Sequence, residues 1–309
     1  MSNLDVVRSP FFYVGDKYKL VPQLKKLMPA RVGEYIEPFV GGGSSFLNSN
    51  SEKYILNDID YYVVRLHQEL SSYTNDIGTL MQKLFKLIDT YGLSCSFLGR
   101  TADADLKKEY PKTYYAKMNK EAYIALRNDF NKDKSDMLKL YILLIYGFNH
   151  MIRFNGDDKF NLPVGNVDFN KNVFNALINY LCFMKRANVD FKNKDYKDFL
   201  SELKYTNESY IYLDPPYLIS MSEYNKLWNP DKEQELCNFL DYLNNKGVKF
   251  GITNLITHKD RVNNTFWEWS TRYKVYNINS NYISFNDNTI KANSKEVFVT
   301  NYGTGKSEI

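Results

Sequence analysis

Apolar and polar residues follow two rhythms along this chain, and the places where one gives way to the other carry most of its information. Tyr210-Ile211-Tyr212 is an aromatic and β-branched run that reads as a buried strand, stopped by Leu213-Asp214-Pro215-Pro216-Tyr217. Earlier, Glu34-Tyr35-Ile36 reads as a strand entering the glycine loop Glu37-Pro38-Phe39-Val40-Gly41-Gly42-Gly43-Ser44, with a helical stretch from Ser45. Tyr54-Ile55-Leu56 is a second short strand and ends in Asn57-Asp58-Ile59-Asp60. Further strands fall at 187–191 and 248–253, and 273–283 with 296–302 reads as a β-hairpin with an Asn-rich connection.

The other rhythm is helical. Leu20, Val21, Leu24 and Leu27 share one face ahead of Pro29. From about residue 62 to 160 the pattern is helical and rich in Lys and Tyr, without glycine or proline clusters spaced for a sheet, which marks an inserted helical subdomain. Within it Tyr123, Leu126, Arg127 and Phe130 recur at helical spacing and form a packing face, and an apolar helix over 138–146 stops at Gly147. A helix over roughly 170–185 follows. Asn229-Pro230 caps another, with Leu236, Phe239, Leu240 and Leu243 as its buried stripe, and 303–309 read as frayed.

Strand, glycine loop, helix, strand and acid, in that order, predict an α/β fold with a Rossmann-like sheet. Asp58 lies 17 residues past Gly41 at the tip of the next strand, the place from which an acid holds ribose hydroxyls in nucleoside-binding units. Neither Gly-Lys-Ser nor Gly-Lys-Thr follows the glycines, so the loop is not a P-loop.

Composition narrows the class. The 309 residues, 44% hydrophobic and 16% aromatic, can bury a full core as one large domain with an insert. No apolar run reaches the about eighteen residues of a membrane span, and Met1-Ser2-Asn3-Leu4-Asp5 lacks the regions of a signal peptide, so a cytoplasmic protein without membrane association is expected. Three cysteines without CxxC spacing and three scattered histidines predict reduced thiols and no metal site. The net charge of +4 suits nucleic acid without demanding it, while 26 tyrosines interleaved with lysines can stack bases beside neutralised phosphates.

Asp214-Pro215-Pro216-Tyr217 can be a simple turn. It can also do more. Two prolines remove two N–H donors and fix φ, so the chain leaves the sheet as a rigid loop offering carbonyl oxygens and the Asp214 carboxylate as acceptors. With the flat ring of Tyr217 alongside, the loop suits a planar group carrying an NH2, such as adenine. The stretch Phe148-Asn149-His150-Met151-Ile152-Arg153-Phe154-Asn155, leading to Pro163, combines Asn, Arg and aromatics as base-reading loops do. Arg153 could equally pair with Asp157 or Asp158 as a loop brace, and Asp195 could serve as a plain helix cap.

Taken together, Tyr13-Val14-Gly15-Asp16-Lys17, the glycine loop, Asn57-Asp58-Ile59-Asp60 and Asp214-Pro215-Pro216-Tyr217 resemble the DNA adenine N6-methyltransferases of the Dam-like, D12, α-type class over about residues 11 to 302. The resemblance implies a Rossmann-like methyltransferase sheet with an antiparallel C-terminal hairpin, a catalytic domain over 1–61 and 170–309, and a target-recognition subdomain over 62–169. It also implies S-adenosylmethionine as methyl donor and double-stranded DNA, with a flipped adenine, as substrate. A restriction endonuclease is a possible partner that the chemistry does not require. Asp214, Pro215, Pro216 and Tyr217 are the implied catalytic residues; Tyr13, Lys17, Pro38, Phe39, Gly41, Gly43, Ser44, Asp58, Asp195 and Tyr196 the implied cofactor contacts. Asn149, Met151, Arg153, Asn155 and Pro163 are the implied DNA contacts, with Arg153 matching the family's base-reading arginine. In some relatives that read GATC, a lysine stands where this chain has Phe12. The alternatives are a methyltransferase acting on a protein amide or small-molecule amine, and a DNA-binding relative without chemistry.

Overall fold

The computed structural model describes residues 6–220, 228–280 and 294–304. Its sheet is assembled from strands that bury both faces. Strand β1 (Val32–Glu37) pairs in parallel with β2 (Ser51–Asn57) and with β4 (Ser209–Leu213), while β2 pairs with β3 (Val189–Lys192) and β4 with β5 (Lys249–His258). Alternation sorts the side chains. Tyr35, Tyr54, Tyr210 and Tyr212 enter one core, and Ile36, Ile55, Ile211 and Leu213 enter the other, as expected of parallel strands covered on both sides.

Beyond β5 the sheet continues through β8 (Ser294–Thr300) to β7 (Lys274–Ile278), with β8 antiparallel to both; the two-residue β6 (Arg261–Val262) also pairs with β5. The path is β3-β2-β1-β4-β5-β8-β7. This bears out the α/β sheet with its antiparallel C-terminal hairpin, although 281–283 of the expected first arm lie outside the described residues, as do 305–309. The chain steps outward from β1 to β3 and then returns to place β4 beside β1. The crevice between the ends of β1 and β4 is therefore the topological switch point, where open α/β sheets bind ligands.

Two helical layers cover the sheet. On the aliphatic face pack α8 (Tyr196–Glu202), α9 (Pro230–Asn245) and α10 (Asn264–Ser270). Asn229 caps α9 by accepting from Lys232 N, with Pro230 at the first position; Leu236, Leu240 and Leu243 are buried, while Phe239 is half-buried. On the tyrosine face lie α2 (Tyr61–Ser72) and α7 (Lys171–Met184), and beyond them α3 (Ile77–Tyr91), α4 (Ala104–Glu109), α5 (Tyr114–Lys132) and α6 (Met137–Tyr146). Every residue of α6 except Lys139 is buried, and α2, α3 and α5 surround it. Tyr123, Leu126 and Phe130 are fully buried, and Arg127 donates to the Leu162 carbonyl at 3.2 Å, so this face of α5 serves packing.

Two expected helices are shorter than the pattern foretold. The segment carrying Leu20, Val21, Leu24 and Leu27 buries all four, yet only Val21–Leu24 (α1) is α-helical, because Pro22 lacks a donor and the next turns close with mixed three- and four-residue bonds. After the glycine loop there is a single 3-10 turn, Phe46–Asn48, since β2 begins at Ser51 directly opposite Val32. Asn48 closes that turn by accepting from Val7 N at 2.9 Å and donating to the Val7 carbonyl at 2.8 Å, which ties the N-terminal segment to the loop.

Candidate active site at the switch point

The glycine loop leaves β1 with Gly41 at φ 47° and Gly43 at φ 81°, backbone that a Cβ would strain. Packing forbids side chains as well. A Cβ on Gly42 would sit 2.8 Å from Tyr13 Cβ and 3.3 Å from Ser9 Oγ, so the N-terminal segment lies directly on the loop. Both sides of the Gly41 peptide are held: Asp58 Oδ2 accepts from Gly41 N at 2.8 Å, and His67 Nε2 stands 2.9 Å from the Gly41 carbonyl. The carbonyl requires Nε2–H as donor, which leaves Nδ1 to accept from the Tyr180 hydroxyl at 3.0 Å.

Asp58 Oδ1 also accepts from Asp60 N at 2.9 Å. Burial pushes this carboxyl up to about 6, only partly opposed by those N–H bonds. Its neighbour Asn57, fully buried, donates to the Pro38 and Lys194 carbonyls at 3.0 Å each and accepts from Lys194 N, so the ends of β1, β2 and β3 are pinned by one amide. Asp195 caps α8 by accepting from Lys197 N at 2.9 Å. Tyr196 is buried, with Phe39 and Trp228 at centroid distances of 5.3 and 5.5 Å. Among the described residues, Ser44 Oγ, Asp16 Oδ2 and Glu37 Oε2 are buried around the loop with no partner at hydrogen-bond geometry, although Ser44 stands near enough to Asp16 to favour its charged form.

Across the crevice, Asp214 emerges from the fully buried β4. Its Oδ1 accepts from Thr253 Oγ1 at 2.9 Å, and its Oδ2 faces Lys17 Nζ at 2.8 Å. The Tyr217 hydroxyl lies 3.1 Å from Asp214 Oδ1 and 2.8 Å from Glu296 Oε1, and Lys17 Nζ is 4.0 Å from Glu296 and 4.8 Å from the centre of the Tyr217 ring. Burial, then the charges of Asp214 and Glu296, raises the Tyr217 hydroxyl well above its ordinary range, so it stays protonated. Glu37, at the tip of β1, is likewise pushed well above the carboxylate range by burial and then by Asp214.

Of the expected cofactor contacts, Lys17 meets the Asp214 carboxylate itself, Tyr13 lies on the glycine loop, Asp58 holds the Gly41 amide and Phe39 packs on Tyr196. His67, Asn57, Thr253 and Glu296 went unforeseen. Glu296 alone left a trace in the sequence, as an acid heading the apolar run Val297-Phe298-Val299.

The segment singled out for base reading is a two-armed ribbon from Gly147 to Gly165. Its arms are joined by bonds from Phe148 N to the Pro163 carbonyl, Asn161 N to the Arg153 carbonyl and Asn155 N to the Lys159 carbonyl. Arg153 Nε donates to Asn161 Oδ1 at 2.9 Å and Nη2 to the Asn161 carbonyl at 3.0 Å, fixing the guanidinium plane. Asp158 instead takes Lys134, so the brace considered for Arg153 is Asn161 rather than an acid. Asn149 (φ 55°) and Pro163 are exposed, Met151 is half-buried, and Asn155 folds the tip by accepting from Asp157 N and Lys159 N.

A mainly parallel sheet with the antiparallel β8 inserted between β5 and β7, a glycine loop at β1 and Asp-Pro-Pro-Tyr at β4 define the class as a Rossmann-like methyltransferase. The chain belongs to the D12 class N6 adenine-specific DNA methyltransferase family, whose model matches residues 13–283. The type II methyltransferase M.FokI of Planomicrobium okeanokoites is 32% identical over 305 residues, covering 96% of this chain and 43% of that protein. Modification methylase StsI of Streptococcus sanguinis is also 32% identical, with the same coverages. The DNA adenine methylase of Escherichia coli (strain K12) is 29% identical over 209 residues, 66% of this chain and 63% of that protein. This chain spans less than half the length of the first two relatives.

Because burial lowers His67 to about 4, the unfolded chain takes up a proton below pH 6.5 that the folded chain refuses until about 4. Stability from this residue is therefore full above 6.5 and is lost as pH falls, by about 2 kcal/mol at pH 5. Urea unfolding at pH 7 and pH 5 should show that component in the unaltered protein and lack it in His67→Gln.

Proposed function

We propose that this chain transfers a methyl group from S-adenosylmethionine to N6 of an adenine flipped out of double-stranded DNA at a short specific site. The observation that carries this reading is the Asp214 carboxylate, held by Thr253, Tyr217 and Lys17 at the switch point opposite the glycine loop. Adenine N6 is a weak nucleophile because its lone pair is delocalised into the ring. Asp214 and the Pro215 carbonyl accept its two N–H bonds and favour a pyramidal nitrogen whose lone pair points out of the ring plane. Pro216 keeps the loop rigid, and Tyr217 offers its ring to the base. The base must leave the duplex at a cost of a few kcal/mol, which stacking partly offsets.

The residues of the crevice fit the cofactor. Ser44 Oγ and Asp16 Oδ2, buried and without a partner at hydrogen-bond geometry among the described residues, line a loop whose glycines admit close approach, which suits a small polar ligand. Asp58 would hold its ribose hydroxyls, Tyr13, Pro38, Phe39, Gly41, Gly43 and Ser44 would wall it, and Asp195 with Tyr196 would flank its adenine. When bound, it supplies an electrophilic methyl on sulfur. Fixing both reactants in line is worth about 7–11 kcal/mol.

Residues 1–61 and 170–309 would form the catalytic part and 62–169 the recognition part, with Asn149, Met151, Arg153, Asn155 and Pro163 of the ribbon against DNA. Two relatives are named modification methylases or type II methyltransferases, which supports a place in restriction and modification; the transfer itself needs no endonuclease. Action on a protein amide or small amine would leave the ribbon without use. Duplex-dependent incorporation of labelled methyl, with N6-methyladenine mapped by direct sequencing, decides between them, and incorporation into protein alone would defeat the proposal.

Asp58 ionises near 6, and its acceptor role needs the charge, so cofactor affinity should weaken as pH falls from 7.5 to 5.5. Calorimetric titration of Asp58→Asn should give a weaker affinity that no longer changes over that range. Asp214→Ala should lower the single-turnover rate by about 100-fold or more, the scale of a lost preorganised acceptor, while circular dichroism stays that of the unaltered protein. For Arg153→Ala, the measurement is the methylation rate on the cognate duplex and its single-base variants. A base-reading arginine discriminates by about 1–3 kcal/mol, so choice should relax at one G·C position; equal slowing on every duplex would make Arg153 a brace or phosphate anchor.

A further inference from the structure

Arg8 is half-buried, and its guanidinium carbon lies 4.4 Å from the centre of the Phe12 ring and 4.6 Å from that of Tyr18, two cation–π contacts that hold the group by its face. Among the described residues no acceptor takes any of its donors and no carboxylate closes an ion pair with it. Of its three side-chain nitrogens only Nε is buried without a partner, which leaves the Nη pair to solvent. Burial raises the Asp16 carboxyl, and the charge of Arg8 only partly opposes this, so the nearest acid does not answer the cation.

The neighbours of Arg8 fix where it stands. Ser9, the next residue, donates to the Gly42 carbonyl, and Tyr18 follows Lys17, which meets Asp214. On the other side the Phe12 ring is 5.6 Å from that of His150, in the 3-10 turn Phe148–His150 that opens the ribbon. Backbone strain collects at this contact: φ is 51° at Phe12, 55° at Asn149 and 51° at His150, left-handed values that such side chains disfavour and that the surroundings must hold. Arg8 therefore occupies the seam between the crevice and the base of the ribbon. A duplex against the ribbon, with one base in the crevice, brings its backbone across that seam.

Resting on the proposed methylation of duplex DNA, we propose that Arg8 binds a backbone phosphate beside the target base. A phosphate answers both the charge and the planar fork of donors, whereas a guanine edge would accept two bonds and leave the cation uncompensated. The rings of Phe12 and Tyr18 hold the fork before DNA arrives, so that little side-chain freedom is lost on binding.

The test compares binding of the unaltered protein and Arg8→Gln, by fluorescence anisotropy over a range of salt, to a duplex that the unaltered protein methylates. Losing one phosphate contact should lower the slope of log affinity against log salt by about 0.9, and weaken binding about tenfold by the same factor on the target and its single-base variants. Cofactor affinity and thermal midpoint should not change. Each phosphate around the target is then replaced in turn by an uncharged methylphosphonate. One replacement should weaken the unaltered protein about tenfold and leave Arg8→Gln indifferent. An unchanged slope, or a scan felt equally by both proteins, overturns the contact; weakening confined to one base pair makes Arg8 a base reader and overturns it too. Should Arg8→Gln fail to fold, Arg8→Lys decides: a point charge replaces the fork, so the penalty at that phosphate should shrink, and a penalty as large as that of the unaltered protein overturns the assignment. Absence of methylation of any duplex by the unaltered protein would defeat the functional reading itself, and this inference with it.

Discussion

Like charges converge at the ends of β1, β4 and β8, and the crevice exists because each is answered. Asp214 has a cation and two hydroxyls, Glu296 has a hydroxyl and the same cation at longer range, and burial together with Asp214 drives Glu37 toward its neutral form. Removing any one partner would leave a carboxylate in low dielectric, where neutralisation or local rearrangement is cheaper than bare charge. The strand order therefore does more than bring two motifs together. It fixes how many negative groups must share one lysine.

Much of this was legible in the sequence because the signals were local. The tyrosine and isoleucine alternation of β1 and β4, the glycines with positive φ, and proline after Asp214 each declare their conformation within a few residues. The D12 resemblance joined them in the right order, and the family match agrees. Two short helical segments were overcalled, since periodicity cannot register that Pro22 lacks a donor or that Ser51 is already paired with Val32.

What escaped was long-range. Asn57 reaches Lys194 across 137 positions, His67 touches Tyr180 across 113, and Tyr217 meets Glu296 across 79. Nothing near any of these residues distinguishes a bridging side chain from an ordinary one. Arg153 shows the same limit: its brace turned out to be the amide of Asn161 on the opposite arm rather than a neighbouring acid. Glu296 alone is marked, and faintly, as an acid heading the apolar run Val297-Phe298-Val299.

The two-armed ribbon from Gly147 to Gly165 is joined to the helices through a narrow neck. A Cβ on Gly165 would lie 2.8 Å from the Gly147 carbonyl oxygen, and one on Gly147 would meet the Leu143 carbonyl at 2.6 Å, so the two arms cross where neither can carry a side chain. The buried helix α6 ends at that crossing, and its packing does not extend to the exposed tip at 155–159. A new side chain at the tip therefore meets solvent, whereas one at Gly147 or Gly165 meets backbone. The ribbon is thus held at its base by backbone against backbone, so its exposed side chains can change without touching the contact that sets its path.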